Sequence, residues 1–180
     1  DFLVHYNTHN NLDKRLLSFI NTHWKAKLKA FKESHFPEFL FLAYLFYMSS
    51  SRKTTIFFSK FFLAKIAKHV EGVVDLSLSI NILAQEQFIS DYGNDVLVNK
   101  EIISNIQKLP QKDKKQVIIN NLIQLLHKEI EEKSIDEVFF QSSYLIEYAE
   151  NLLTRVGAEK KIDIKQLNKT QVMSLYWVIA

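Results

Sequence analysis

The sequence has no cysteine among its 180 residues, and only three glycines and two prolines. The absence of cysteine excludes a disulfide scaffold and any thiol or cysteine–zinc chemistry. Glycine and proline interrupt regular structure more strongly than other residues, so their scarcity predicts long uninterrupted elements. The five positions are Pro37, Gly72, Gly93, Pro110 and Gly157.

Charge and hydropathy narrow the classes of protein further. The net charge is only +3, so no overall field requires a nucleic-acid partner. The longest apolar run, Phe39–Met48, has half the roughly 20 residues that a membrane span needs. No basic and apolar leader opens the chain. We therefore expect a cytoplasmic protein without a membrane partner, and a 47% hydrophobic content large enough for a substantial core.

Apolar residues recur at steps of three and four, which is the spacing of amphipathic helices. The pattern predicts a first helix from Asn10 or Asn11 to Ser34, and its apolar stripe is Leu12, Leu16, Ile20, Trp24, Leu28 and Phe31. Further helices are predicted over residues 37–48, 54–72, 73–88, 96–109, 112–132 and 134–156, and from residue 165 onward. The predicted fold is therefore all-α, a bundle of about seven to eight helices.

Three local signals refine this pattern. Ser134 and Glu137 form a capping box, which predicts that a helix begins there. Gly157 stands where a left-handed C-cap belongs, so the helix is predicted to end at that point. Residues 91–95 are predicted to form a turn.

Residues 3–12 resemble a junction found in the tetracycline-repressor (TetR) family, where the DNA-recognition helix meets the fourth helix. The residues that fall on the family's spacing are Leu3, His5, Tyr6, Thr8 and Leu12. In this resemblance Tyr6 would anchor the DNA-binding unit and Thr8 would cap the next helix. The segment departs from the pattern at His9, which replaces a phosphate-contacting lysine, and at Val4, which is often tyrosine.

The resemblance implies a ligand-responsive, homodimeric transcriptional regulator with an all-α regulatory domain. Residues 1–10 would be the end of a DNA-binding head mostly absent from this chain, and residues 11–180 would bind ligand and dimerise. DNA-backbone contacts would come from His5, Tyr6 and His9. A small apolar ligand would be held by Trp24, Phe39, Tyr44, Phe57, Phe61 and Phe88. The dimer interface would include Val138, Ser142, Leu145, Ala149, Leu152, Leu175 and Ile179.

An alternative function is a non-enzymatic helical protein-interaction module, such as an adaptor or an effector fragment. It rests on the same all-α pattern and on six cationic residues between Lys14 and Lys32, which form either a solvated face or a partner contact.

Enzyme chemistry is the least favoured interpretation. The acidic pairs Glu129/Glu132 and Glu147/Glu150 resemble those of all-α nucleotide pyrophosphohydrolases, but polar neighbours favour solvated helix faces. His5 and His9 have the spacing of a helical metal pair, although the intervening Asn-Thr favours a break. The other histidines have no nucleophile or acid at a diagnostic spacing. We expect no catalytic residue, no metal and no cofactor.

Overall fold

The computed structural model describes residues 2–49, 57–99, 102, 105, 106, 112–158 and 164–179, and side chains within these ranges except at 2–13, 112, 113 and 164. The helices are α1 (Phe2–Ser34), α2 (Phe36–Met48), α3 (Lys60–Ala67), α4 (Leu76–Gln85), α5 (Lys112–Glu131), α6 (Ile135–Phe140), α7 (Ser143–Ala158) and α8 (Lys169–Ile179). The strands are β1 (Phe57–Ser59), β2 (Ile89–Tyr92) and β3 (Asp95–Val98), and a 3₁₀ turn spans Ile164–Gln166. The predicted all-α bundle is confirmed, with a small sheet added to it.

Helix α2 is the centre of the molecule. Every side chain from Glu38 to Met48 is buried, because this helix is apolar on all sides and other helices surround it. Pro37 lies in its first turn, where a missing N–H costs nothing. The prediction of a central buried helix over 37–48 is confirmed.

Helix α7 satisfies backbone carbonyl groups at the end of α2. Asn151 donates from its Nδ2 to the carbonyl of Met48 at 2.9 Å, and Arg155 donates from its Nε to that of Ser49 at 2.7 Å. The Arg155 guanidinium also lies 4.1 Å from the centre of the Phe46 ring. Since the last carbonyls of a helix have no partner within it, these side chains fix α7 against α2.

The three strands form one antiparallel sheet in the order β1-β3-β2. A two-residue loop joins β2 to β3, and Gly93 at its first position has φ +77°. A positive φ at this position is what a type II′ hairpin turn requires. Along the chain these strands alternate with helices in the order α2-β1-α3-α4-β2-β3. We call the described residues between Phe36 and Val98 the helix–hairpin unit.

The C-terminal helices α5, α7 and α8 pack against one another, and α5 and α7 also pack against α2. The capping box is confirmed: Ser134 accepts from the backbone of Glu137, whose carboxylate accepts from the backbone N–H of Ser134. These bonds to the ionised form hold the pKa of Glu137 below its usual value. The single helix predicted over 134–156 is wrong, because the chain breaks at Gln141 and Ser142 into α6 and α7.

The predicted start of the first helix is also wrong. Helix α1 begins at Phe2 and continues without a break through Thr8, so Thr8 does not cap a helix. Asn and Thr cost only a few tenths of a kcal/mol each in a helix, and neither Gly nor Pro occurs before Pro37. The helix therefore crosses the proposed boundary at residues 10 and 11.

Three further predictions differ from the structure. Residues 57–59 and 95–98 are strands, although both lie at the edges of predicted helices. The helix predicted over 73–88 is shorter and spans α4 alone. Gly157 lies inside the last turn of α7 and has no positive φ, so it is not a left-handed cap.

Candidate functional site

Six of the seven predicted dimer-interface side chains belong to the core of a single chain. Within it, Val138, Ser142, Leu145, Ala149, Leu152 and Leu175 are buried. Ile179 packs against the same core and is half-buried. Leu145, Ala149 and Leu152 are spaced regularly because α7 packs against α2, α5 and α8, and the six buried side chains offer no free surface for a second copy.

The six predicted pocket residues lie in two kinds of environment, the core and the surface. Phe39 and Tyr44 are buried in α2, and Phe88 is buried against the half-exposed Trp24, with ring centres 6.2 Å apart. Phe57 and Phe61 are exposed on the helix–hairpin unit. Tyr44 accepts a hydrogen bond from Asn121 at 2.8 Å, and burial raises the pKa of its hydroxyl. These rings are therefore divided between the core and the surface.

The predicted DNA-backbone contacts lie at the start of α1. His5, Tyr6 and His9 are all within this continuous helix, and their side chains are outside the described residues. Their role stays a prediction.

An exposed apolar surface lies on the sheet of the helix–hairpin unit. Phe57, Tyr92 and Leu97 point outward, while Phe58 and Val96 point inward and are buried. The Phe57 and Tyr92 rings meet edge to face with centres 5.7 Å apart, and they are 51% and 60% exposed. We call Phe57, Tyr92 and Leu97 the outer sheet face. Adjacent aromatic rings exposed to solvent are typical of protein contact surfaces.

The chain segment that contains α4 and the hairpin is acidic in sequence. From His69 to Asn99 the sequence has no lysine and no arginine, but five acidic residues: Glu71, Asp75, Glu86, Asp91 and Asp95. The nearby Lys60 forms an ion pair with Asp91, and the two Asp91 carboxylate oxygens lie 2.7 and 2.8 Å from Lys60 Nζ. This pairing holds the pKa of Asp91 below its usual value. Two more of these acids pair with lysines from other elements, Glu86 with Lys27 at 3.4 Å and Glu71 with Lys114 at 3.6 Å.

Helix α4 presents uncharged side chains to solvent. Asp75 caps it by accepting from the backbone N–H groups of Ser77 and Leu78. Leu78 is 58% exposed, and Asn81 and Gln85 are exposed beside it. Asn and Gln can read base edges, but phosphate contacts from cations supply most of the affinity in such complexes. Because α4 has no lysine or arginine to make phosphate contacts, it is better suited to binding a protein surface.

A cleft of about 530 Å³ lies along the outer half of α1, where residue 105 faces the helix. Its lining is Lys14, Leu17, Ser18, Asn21, Thr22, Lys25 and Asn105. The Asn105 side chain reaches across it and donates to Asn21 at 3.4 Å. We call this the α1 cleft. It combines one exposed apolar side chain with two lysines and several amide and hydroxyl groups.

The structure also brings together a serine, a histidine and an acid that the sequence pattern did not connect. Ser174 Oγ lies 2.7 Å from His127 Nδ1, and His127 Nε2 lies 3.3 Å from Glu131. Ser174 sits inside α8 and donates to the carbonyl of Gln171 at 2.8 Å. Because the hydroxyl proton is used in this bond, the Ser174 oxygen accepts from His127. The backbone amides around Ser174 are already bonded within the helix, so they are not available to stabilise an oxyanion. The group ties α5 to α8 and has no oxyanion site.

The predicted acidic pair Glu129/Glu132 does not form a metal site. Glu129 is buried and forms an ion pair with Lys65 on α3, whereas Glu132 pairs with Lys128 along α5. The two carboxylates therefore face different partners. In the described part of the chain, no group of three metal-ligating side chains is close enough to hold an ion. Nor is any described helix both long and apolar enough to cross a bilayer.

Comparison with known proteins adds no relative. No protein-family model matches the chain, and neither the curated proteins nor the solved structures contain a match. Inference about function therefore rests on the surfaces described above.

Proposed function

We propose that the protein is a non-enzymatic protein-interaction module whose helix–hairpin unit binds a partner protein through the outer sheet face. The observation that carries this proposal is the exposed edge-to-face pair of Phe57 and Tyr92. Covering two such rings removes a large apolar area from water, at about 25 cal/mol per Å². Aromatic side chains of this kind are the residues that most often anchor protein interfaces.

The position of the pair supports a docking role. Tyr148 holds the backbone of β1 from the inner side, and Phe58 on the same strand is buried, so Phe57 is presented on a fixed support. A side chain that is already ordered loses less conformational entropy when a partner covers it. The outer sheet face is therefore preorganised for binding.

Charge supports a protein partner over a nucleic acid. The 31 residues from 69 to 99 include helix α4 and the hairpin, and they contain five acids and no Lys or Arg. Asp95 is exposed on the same sheet face as its register partner Tyr92, where it would repel a phosphate and attract a basic residue of a partner. The TetR-type regulator, with DNA and ligand as partners, stays a prediction that this proposal opposes.

Site-specific photo-crosslinking tests the proposal. We would place benzoylphenylalanine at position 92 and, in a matched control chain, at the exposed position Thr170 on α8. In cells that express the protein, position 92 should give a protease-sensitive adduct, Phe57→Ser in the same chain should reduce it, and position 170 should not give it. A nuclease-sensitive adduct at position 92, or equal adducts at both positions, would contradict the proposal.

A further inference from the structure

Helix α1 carries one apolar stripe that continues past the body of the protein. Leu28 is fully buried, Trp24 is half-buried and Leu17 is 59% exposed, although all three lie on the same side of the helix. Leu16, beside Leu17, is 57% exposed. The core buries the inner half of the stripe. The outer half is also apolar, but no described residue covers it.

Lysines flank the uncovered part of this stripe. Lys14 and Lys25 line the two ends of the α1 cleft, with Leu17 and Asn21 between them. Eleven residues separate the lysines, which is about 16 Å along a helix. From Lys14 to Lys32 the sequence has six cationic residues and no acidic residue. Lys14 and Lys25 therefore give the cleft a positive charge.

We propose that the α1 cleft binds an acidic amphipathic helix of a partner protein. The apolar side of such a helix would cover Leu17 and Leu16, and its carboxylates would meet Lys14 and Lys25. This inference rests on the proposed function, because it identifies a second docking surface of the same module and the chemistry of its ligand.

Charge favours this occupant over a second copy of α1. A second copy of α1 would bring lysines against lysines, which is unfavourable at close range. The uncovered stripe faces the same side of α1 as Leu28, and Asn105 forms the opposite side of the cleft. An anionic bilayer is the other alternative, and the test below distinguishes it from a helix.

The test measures fluorescence anisotropy with a designed probe. The probe is a fluorescein-labelled peptide of three heptads with Leu at positions a and d and Glu at e and g, and its counterpart has Lys at e and g. The full chain is compared with Lys14→Glu/Lys25→Glu and with Lys68→Glu/Lys169→Glu. Both double variants replace exposed lysines and change the net charge equally.

The acidic peptide should bind the wild-type chain saturably. Its affinity should fall about tenfold in Lys14→Glu/Lys25→Glu and should stay within about twofold of wild type in Lys68→Glu/Lys169→Glu. The Lys peptide should bind Lys14→Glu/Lys25→Glu better than it binds wild type. Leu17→Ser should weaken binding without changing the melting temperature, because this side chain is exposed.

Several results would overturn the proposal. One is that the acidic peptide shows no saturable binding, and another is that both double variants lose the same affinity for it. A third is that anionic vesicles bind in place of the peptide, through Lys14, Leu17 and Lys25. A dimer in light scattering that Leu17→Ser dissociates would assign the cleft to a second copy. Each of these results leaves the crosslink at position 92 unaffected, so failure here is distinguishable from failure of the proposed function.

Discussion

The Tyr148 hydroxyl on α7 donates a hydrogen bond to the backbone carbonyl of Phe57 at 3.0 Å. The same oxygen accepts from the backbone N–H of Ser59 at 3.4 Å, and the Tyr148 ring stacks on Phe58 with centres 5.1 Å apart. One side chain of the C-terminal helices therefore holds the strand that presents Phe57. The position of the outer sheet face depends on this contact between α7 and β1.

Removing the hydroxyl of Tyr148 should destabilise the fold. Tyr148→Phe keeps the buried ring but loses both hydrogen bonds to β1, which should cost about 1–3 kcal/mol in the free energy of unfolding. Urea denaturation measures this loss. The control is Tyr176→Phe on α8, where the side chain is 49% exposed and the change should be within about 0.5 kcal/mol. Equal stability of both variants would show that the contact with β1 contributes nothing.

The same hydroxyl should make stability fall at alkaline pH. Burial raises the pKa of Tyr148 above its usual value near 10, so above that pH the unfolded chain loses a proton that the folded chain keeps. The stabilising contribution is therefore complete below about pH 10 and declines above it, by at most about 1.4 kcal/mol per pH unit. Comparing urea denaturation of wild type and Tyr148→Phe from pH 8 to pH 11 isolates the effect. A constant difference between them would contradict the assigned burial.

Ser79 and Glu38 couple α4 to α2 through a buried hydrogen bond. Ser79 Oγ donates to Glu38 Oε1 at 3.0 Å, and both side chains are buried. Ser79→Ala leaves the carboxylate with one donor fewer and should cost about 1–3 kcal/mol. The exposed Ser77→Ala serves as the control, since the Ser77 side chain makes no described bond to Glu38. In a double-mutant cycle with Glu38→Gln, a coupling energy near zero would refute the interaction.

The three glycines should respond differently to alanine. At Gly72, φ is +88° and an added Cβ would lie 2.7 Å from Pro37 Cγ, so Gly72→Ala should cost about 2–5 kcal/mol. At Gly93, φ is +77° in open space, so Gly93→Ala should cost about 1–2 kcal/mol. Gly157 is helical with nothing nearby, and Gly157→Ala should stabilise by about 0.5 kcal/mol. Thermal unfolding measures all three, and the reverse order would refute these backbone assignments.

Helical spacing predicted the fold where elements are long. The inner part of the predicted α1 stripe, from Trp24 to Phe31, the buried α2, and α5 over Lys112–Glu131 all follow from period and length. The strands could not be found in this way, because three or four residues are too few to distinguish alternation from helical spacing. Gly93 and Asn94 were identified as a turn, and a Gly-containing pair between apolar runs is also a hairpin signal. This hairpin signal could have predicted β2 and β3.

The candidate site was less predictable than the fold. An apolar residue has the same pattern whether a neighbour covers it or not, so Leu145 was assigned to an interface although α7 buries it in its own core. Phe57 was assigned to a pocket although it lies on an exposed strand face. Ser174 and His127 are 47 residues apart, and only the packing of α8 on α5 brings them together. The absence of cations from His69 to Asn99 was visible in the sequence, but its meaning required the α4 and hairpin arrangement.

The most direct test of the central claim is a titration of a 30-base-pair DNA duplex with the full chain at about 50 and 150 mM salt, where phosphate contacts are separable by salt dependence. We expect no saturable binding at the higher salt, and any binding at the lower salt should be lost in Lys14→Glu/Lys25→Glu and unchanged in Asn81→Ala/Gln85→Ala. Saturable binding at the higher salt that the two α4 substitutions abolish would contradict the claim that the helix–hairpin unit binds protein.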